Sequence, residues 1–244
     1  KYELKPSTRT NYKYMYNKYV REEIGYKDIA SIKFSDIKKF YIHLIKDIGF
    51  KPNSMEIINT IIHPVFTIAM RDGLIRINPA DGAMAEIKRS HNWEKPKRHA
   101  LTEAQQSAFI EYIKGSKTYR HWLPLFTVLL GTGCRVGEII GLRWQDCDFQ
   151  EKIITIDHSL IYRQQEDGGG CVFHVSTPKT KAGIRVIPML EAVRKALLEE
   201  RLSQMRTGFN QTVIDGYSGF IFSNRYGDAL TPHCINRAIE RISR

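Results

Sequence analysis

Chemistry in this chain concentrates in the stretch Gly131-Thr-Gly-Cys-Arg135-Val-Gly-Glu138-Ile-Ile-Gly-Leu-Arg143-Trp144. The apolar run Trp122 to Leu130 before it predicts a buried helix. The Gly-Thr-Gly break then lets the backbone turn sharply, because glycine tolerates positive φ. Arg135 falls at the start of a second short helix, Val136 to Leu142. A guanidinium beside the free amides of a helix start suits a phosphate: its fork meets two oxygens, and the amides add partial positive charge. This is not the phosphate loop of nucleotide-binding proteins, since no Gly-Lys-Ser/Thr triplet follows four spacer residues. The local pattern equally fits a surface arginine beside a helix cap. A second cation, Lys179, stands in Thr177-Pro-Lys-Thr-Lys-Ala-Gly-Ile-Arg-Val-Ile-Pro188, which predicts a hairpin with Lys179 at its tip. A lysine so placed can protonate an alkoxide leaving group, although most lysines at hairpin tips face only solvent.

The elements that must position these cations are legible in outline. Residues 1–87 read as helical. Ser7 or Thr8 caps a helix to about Tyr19 or Glu22, with Tyr12, Tyr16 and Tyr19 on one face. Ser35 caps a second helix with the stripe Phe40, Leu44 and Ile48, stopped by Gly49. Asn53 or Ser54 caps a third, with Ile57, Ile58, Ile61, Val65, Ile68 and Ala69 as buried positions and Pro64 as a kink or break. Asn78-Pro79 closes the bundle. Residues 88–100 read as a basic linker, with five Lys/Arg, one Glu and no apolar periodicity.

From Leu101 a second domain begins. Thr102 caps a helix to about Lys114, and three strands follow Trp144: Ile153 to Tyr162, Val172 to Thr177 and Ile184 to Pro188. Asp167-Gly-Gly-Gly170 turns the first pair of strands and Lys179 to Gly183 the second. A helix from Glu191 to about Arg206, an extended piece Phe220 to Ser223 and a last helix capped by Thr231 complete the chain. The fold class is mainly α with a small antiparallel β-sheet (α+β).

Composition narrows the function. Net charge is +11, and the first 100 residues hold 19 Lys/Arg against 11 Asp/Glu. A basic half of this kind favours a polyanion, and nucleic acid first of all. Cys134, Cys147, Cys171 and Cys234 form no C-x-x-C pair, so no zinc site is legible. Nothing resembles a carboxylate cluster for Mg²⁺ either, so neither metal nor cofactor is expected. Scattered thiols, no secretory signal and no run of about 18 apolar residues point to an intracellular protein without a membrane span. Opening on Lys1 and not on Met, the sequence reads as an excised fragment.

Taken together, an arginine at a helix start, a Lys-Thr-Lys hairpin about 45 residues later and a basic two-domain chain resemble the tyrosine recombinase (phage-type integrase) family, and integrases of conjugative transposons above all. The segment Phe66-Thr-Ile-Ala-Met-Arg-Asp-Gly-Leu-Ile-Arg-Ile-Asn-Pro79 is similar to the family's helical core-binding domain, and Gly-Thr-Gly-Cys-Arg-Val-Gly-Glu to its first active-site box. The resemblance implies a core-binding domain over 1–87, a linker over 88–100 and an incomplete catalytic domain over 101–244. It makes Arg135 the first catalytic arginine, on non-bridging oxygens of the scissile phosphate. Lys179 becomes the general acid for the leaving 5′-hydroxyl, with Lys181 a rival, and Glu138 orients the arginine or the helix.

The family's His-x-x-Arg box, a further His or Trp and its tyrosine nucleophile are expected beyond Arg244. His233-Cys-Ile-Asn-Arg237 is one residue too long for the box and reads as capping and surface. Residues 1–244 alone are therefore not expected to cleave DNA, whereas the parent protein is expected to form a 3′-phosphotyrosyl link without ATP. Double-stranded DNA at transposon ends or a crossover site is the implied partner, clamped by the two domains and their basic linker, with a homotetramer on two duplexes. Accessory DNA-bending or excision factors and a bacterial, nucleoid-associated cytoplasmic location are implied too. Arg9, Lys13, Lys51, Asn53, Arg71, Lys95, Lys97, Arg98 and Lys181 are the candidate DNA contacts. The alternatives are an inactive DNA-binding accessory or regulatory protein, a type IB topoisomerase and an RNA-binding helical protein.

Overall fold

A computed structural model of the chain describes residues 4, 6–90, 99–165, 169–178 and 181–243, the side chains of Pro6 and Lys181 excepted. It divides into two compact units, Lys1–His99 and Ala100–Arg244.

The first unit is helical. Helix α1 (Pro6–Met15) continues as a π-helix, Tyr16–Gly25. This wider winding decides which face is buried. Met15, Val20 and Ile24 enter the core at spacings of five and four, which a 3.6-residue turn would spread around the helix. The tyrosine face read from α-helical spacing is accordingly not the core face: Tyr16 is exposed, and Tyr12 and Tyr19 are half-buried. Tyr19 instead meets Phe50 edge to face at 4.7 Å.

Helix α2 (Phe34–Lys46) starts one residue before the expected cap. Asp36 reaches back to the Lys33 amide at 2.9 Å, so Ser35 lies inside the first turn. Its stripe is Ile37, Phe40, Tyr41 and Leu44, while Ile48 lies beyond the helix and is exposed. Helix α3 (Pro52–Arg71) also starts earlier than expected, with Pro52 in its first turn where a missing N–H costs nothing. It runs unbroken through Pro64, which sits on the exposed side. The buried side of α3 is Met55, Ile58, Ile62, Phe66 and Ala69. The expected stripe is thus rotated by about one position, and Val65 and Ile68 are exposed. An unforeseen helix, α4 (Ala83–Ser90), buries Ala83 and Ile87 and is tied to α2 by the Lys38–Glu86 ion pair.

The second unit opens with α5 (Glu103–Gly115), capped by Thr102, whose hydroxyl accepts from Gln105 N at 3.2 Å. Helices α6 (Leu123–Thr132) and α7 (Val136–Gly141) follow. Then come β1 (Cys147–Asp148), β2 (Ile153–Ile156), β3 (Ser159–Gln164), β4 (Cys171–Ser176), β5 (Arg185–Pro188), α8 (Glu191–Thr207) and α9 (Pro232–Ile242). Two small antiparallel sheets form, in the orders β1-β2-β5 and β3-β4.

This topology corrects the hairpin expectation. The single strand expected over Ile153 to Tyr162 breaks at Asp157-His158, where the His158 ring is buried, and its two halves join different sheets. Strand β4 pairs with β3 and β5 with β2, so residues 177–184 connect two sheets and do not turn a hairpin. The core of this unit gathers Phe126, Val128, Ile139, Ile140, Ile154, Leu160, Val193, Leu197, Phe220 and Ile235. Among the described residues, no helix is long and apolar enough to cross a membrane.

Candidate active site around Arg135 and Glu138

Helix α6 runs through Gly131 and Thr132 and stops at Gly133, the left-handed residue at φ 62°. The break expected at Gly-Thr-Gly is therefore made by the second glycine alone. Thr132 Oγ1 donates to Val128 O at 2.7 Å and accepts from Cys134 N at 3.3 Å, which carries the chain across to Arg135. Arg135 is extended (φ −69°, ψ 153°) and precedes the first turn of α7.

Helix α7 can lie against β3 only because it is short of side chains on that face. A Cβ on Gly137 would meet Leu160 O at 2.9 Å, and one on Gly141 would meet Leu160 N at 2.9 Å. At the far end of the helix, His158 Nε2 donates to Gly141 O at 2.7 Å.

At the near end sits Glu138, nearly all of it buried. Its Oε2 accepts from the Arg135 amide at 2.9 Å, which is the reverse half of a capping box, and its Oε1 accepts from Arg135 Nη1 at 2.9 Å. A third group, absent from the sequence-based site, completes the arrangement. Arg185 of β5 sets both arms on the same carboxylate, Nη1–Oε1 at 3.1 Å and Nη2–Oε2 at 2.7 Å. Burial opposes ionisation of Glu138, but the hydrogen bonds from Arg185 and from the Arg135 amide and guanidinium outweigh it and hold the carboxyl at about 2. The Arg135 side chain is 78% exposed and that of Arg185 29%. One guanidinium thus faces solvent while the other backs the carboxylate.

A second polar cluster stands at the other end of α7. Arg143 grips Asp146 with Nε–Oδ2 at 3.1 Å and Nη2–Oδ1 at 2.8 Å, and its guanidinium lies 4.5 Å from the Tyr217 ring centroid. Asp146, Asp157 and His158 offer atoms close enough together for a metal ion. Those atoms are already used: Asp146 by Arg143, and the two nitrogens of His158 by Gly141 O and Asp157. The set fits a hydrogen-bond network and does not fit a cation site.

Of the other expected residues, Arg9 and Lys13 are exposed on α1, Lys51 and Asn53 at the start of α3, and Arg71 at its end. Lys51 and Arg71 bracket a 20-residue helix, so they stand about 30 Å apart and form no single patch. Lys95, Lys97, Arg98 and Lys179 lie outside the described residues, as does the side chain of Lys181. Arg185 left no signal in sequence, since apolar residues flank it on both phases of the strand; the structure gives it the inward phase shared with Ile187, while Val186 is exposed.

The sequence profile of the phage integrase family matches residues 99–244, the whole of this unit and its site. The chain belongs to that family, the tyrosine recombinases. The chain is 32% identical over 222 residues to the transposase from transposon Tn916 of Enterococcus faecalis, covering 91% of itself and 52% of that relative. It is 28% identical over 207 residues to the ICEBs1 integrase of Bacillus subtilis, again covering 52% of the relative. It spans about half the length of these curated relatives. Among solved structures, the Tn1549 transposon integrase in complex with a circular intermediate DNA superposes with a TM-score of 0.83 at 27% identity, over 99% of this chain and 74% of that one. A lambda integrase tetramer bound to a Holliday junction shares the fold at a TM-score of 0.62 and 16% identity.

Proposed function

We propose that the chain forms the core of a site-specific recombinase of a mobile element, cleaving and rejoining duplex DNA through a 3′-phosphotyrosyl intermediate. The observation that carries this reading is the Arg135 guanidinium, solvent-facing yet fixed at one end by a buried carboxylate. Arg135 binds non-bridging oxygens of the scissile phosphate and offsets the charge that gathers there in the pentavalent state. Glu138 orients it and transfers no proton. A tyrosine hydroxyl gives up its proton to solvent as its oxygen attacks phosphorus, the bond from phosphorus to the 5′-oxygen breaks, and Lys179 gives that oxygen its proton. The first unit and residues 88–100 bind the duplex, with Arg9, Lys13, Lys51, Asn53, Arg71, Lys95, Lys97, Arg98 and Lys181 on phosphates or bases. The DNA complexes of the Tn1549 integrase support duplex DNA as the partner. Two duplexes recombined at once need four such sites, hence a tetramer, which the lambda integrase assembly makes reasonable.

The test uses the protein expressed from its complete coding sequence. Arg135→Ala should leave duplex affinity within a few-fold and abolish covalent protein–DNA product. Normal covalent product from that variant would remove the assignment.

A further inference from the structure

We infer that Arg185 is a positioning residue: by neutralising Glu138 from behind, it leaves the charge of Arg135 available to the scissile phosphate. The inference rests on the reading of Arg135 as the phosphate ligand.

Two guanidinium groups and one carboxylate meet here. Both arms of Arg185 lie on the two oxygens of Glu138, whereas Arg135 spends one side-chain nitrogen on it. The seat of Arg185 is built on further sides, by Gly183 O at 3.5 Å from Nη1 and Cys134 Sγ at 3.7 Å from Nη2. The covered bidentate pair cancels its own charge, and one positive charge remains, on the exposed partner. Without Arg185 the balance changes. The buried carboxylate then has a single cation, the pair is neutral as a whole, and the position on Oε2 that Arg185 vacates, beside the bond from the Arg135 amide, can draw the Arg135 fork down and away from a ligand. The same carboxylate that orients the arginine would quench it.

The experiment is a mutant cycle in the protein expressed from its complete coding sequence, measuring single-turnover covalent complex formation on a nicked duplex that traps the intermediate. Arg185→Gln should slow cleavage about 10- to 100-fold, less than loss of a direct donor, with duplex affinity within about two-fold. Glu138→Gln/Arg185→Gln should cleave about ten-fold faster than Arg185→Gln, because no carboxylate is left to quench Arg135. A methylphosphonate at the scissile position, which carries no charge, should narrow the gap between Arg185→Gln and wild type.

Wild-type cleavage by Arg185→Gln, beside an inactive Arg135→Ala, would overturn this inference alone. Covalent product from Arg135→Ala would remove both it and the reading beneath it. Should Arg185→Gln not fold, the comparison is the double variant against Glu138→Gln. Equal rates support the inference, since Arg185 then has nothing to neutralise, and a double variant slower by ten-fold or more overturns it.

Discussion

Gly137→Ala and Gly141→Ala probe the contact on which the position of Arg135 depends. In each case the new methyl would lie 2.9 Å from a backbone atom of Leu160, where ordinary contacts begin at 3.4 Å. The obstacle is main chain, so no rotamer change relieves it. Strand β3 is also held from its other side, paired with β4 along Ser159↔Ser176 to Gln164↔Cys171, and α7 is anchored through Gly141 O to His158. Overpacking of this kind costs about 1–3 kcal/mol, and the better helix propensity of alanine returns about 0.5–1 kcal/mol. The net loss, up to about 2.5 kcal/mol, should lower Tm by up to about 10 °C, at roughly 2–4 °C per kcal/mol for a chain of this size. Gly115→Ala is the control: it ends α5 with nothing within 4 Å of its Cβ and no positive φ, and should be neutral or stabilising. Thermal melts of the three variants decide the matter. Gly137→Ala or Gly141→Ala melting above the wild-type temperature would refute the close α7–β3 approach.

Three further outcomes are expected. Lys179→Ala should slow cleavage of a normal linkage and recover on a 5′-phosphorothiolate, whose thiol leaves without an acid; absence of recovery would argue against the general-acid role. Glu138 is held near 2, below its ordinary value of 4.5, so its contribution to stability is complete above about 4.5 and is lost as pH falls toward 2. Denaturation midpoints of Glu138→Gln and wild type should therefore differ most at neutral pH and converge in acid, and a gap constant between pH 5 and 3 would contradict the ion pairs. Lys51→Ala and Arg71→Ala should each lower the slope of log affinity against log salt by about 1 if each meets a phosphate, and unchanged slopes would take α3 off the DNA.

The sequence carried Arg135 and Glu138 plainly because their link is local: three residues apart around a helix start, a carboxylate reaches back to its own cap. The same holds for Thr102 and Thr231, whose capping hydroxyls are where the pattern puts them. Error entered where one rotation per residue was assumed. The π-helical winding moved the core from Tyr12, Tyr16 and Tyr19 to Met15, Val20 and Ile24. On α3 apolar residues stand on more than one face, and only packing against its neighbours chose Met55, Ile58, Ile62 and Phe66.

The pairing of strands was illegible for a different reason. Successive strands near a turn-like segment predict a hairpin, and Lys179-Thr-Lys-Ala-Gly183 has the composition of one. What defeats that pairing is not in the segment but upstream, at His158. A buried imidazole bound to Gly141 O breaks the preceding strand in two. β4 then has β3 as its partner, and β5 is left to return to β2. That return sets Arg185 beside Glu138, 47 residues away in sequence. The residue that fixes the charge on Arg135 thus owes its place to a histidine at the opposite end of α7, through a strand break that no local reading of either arginine contains.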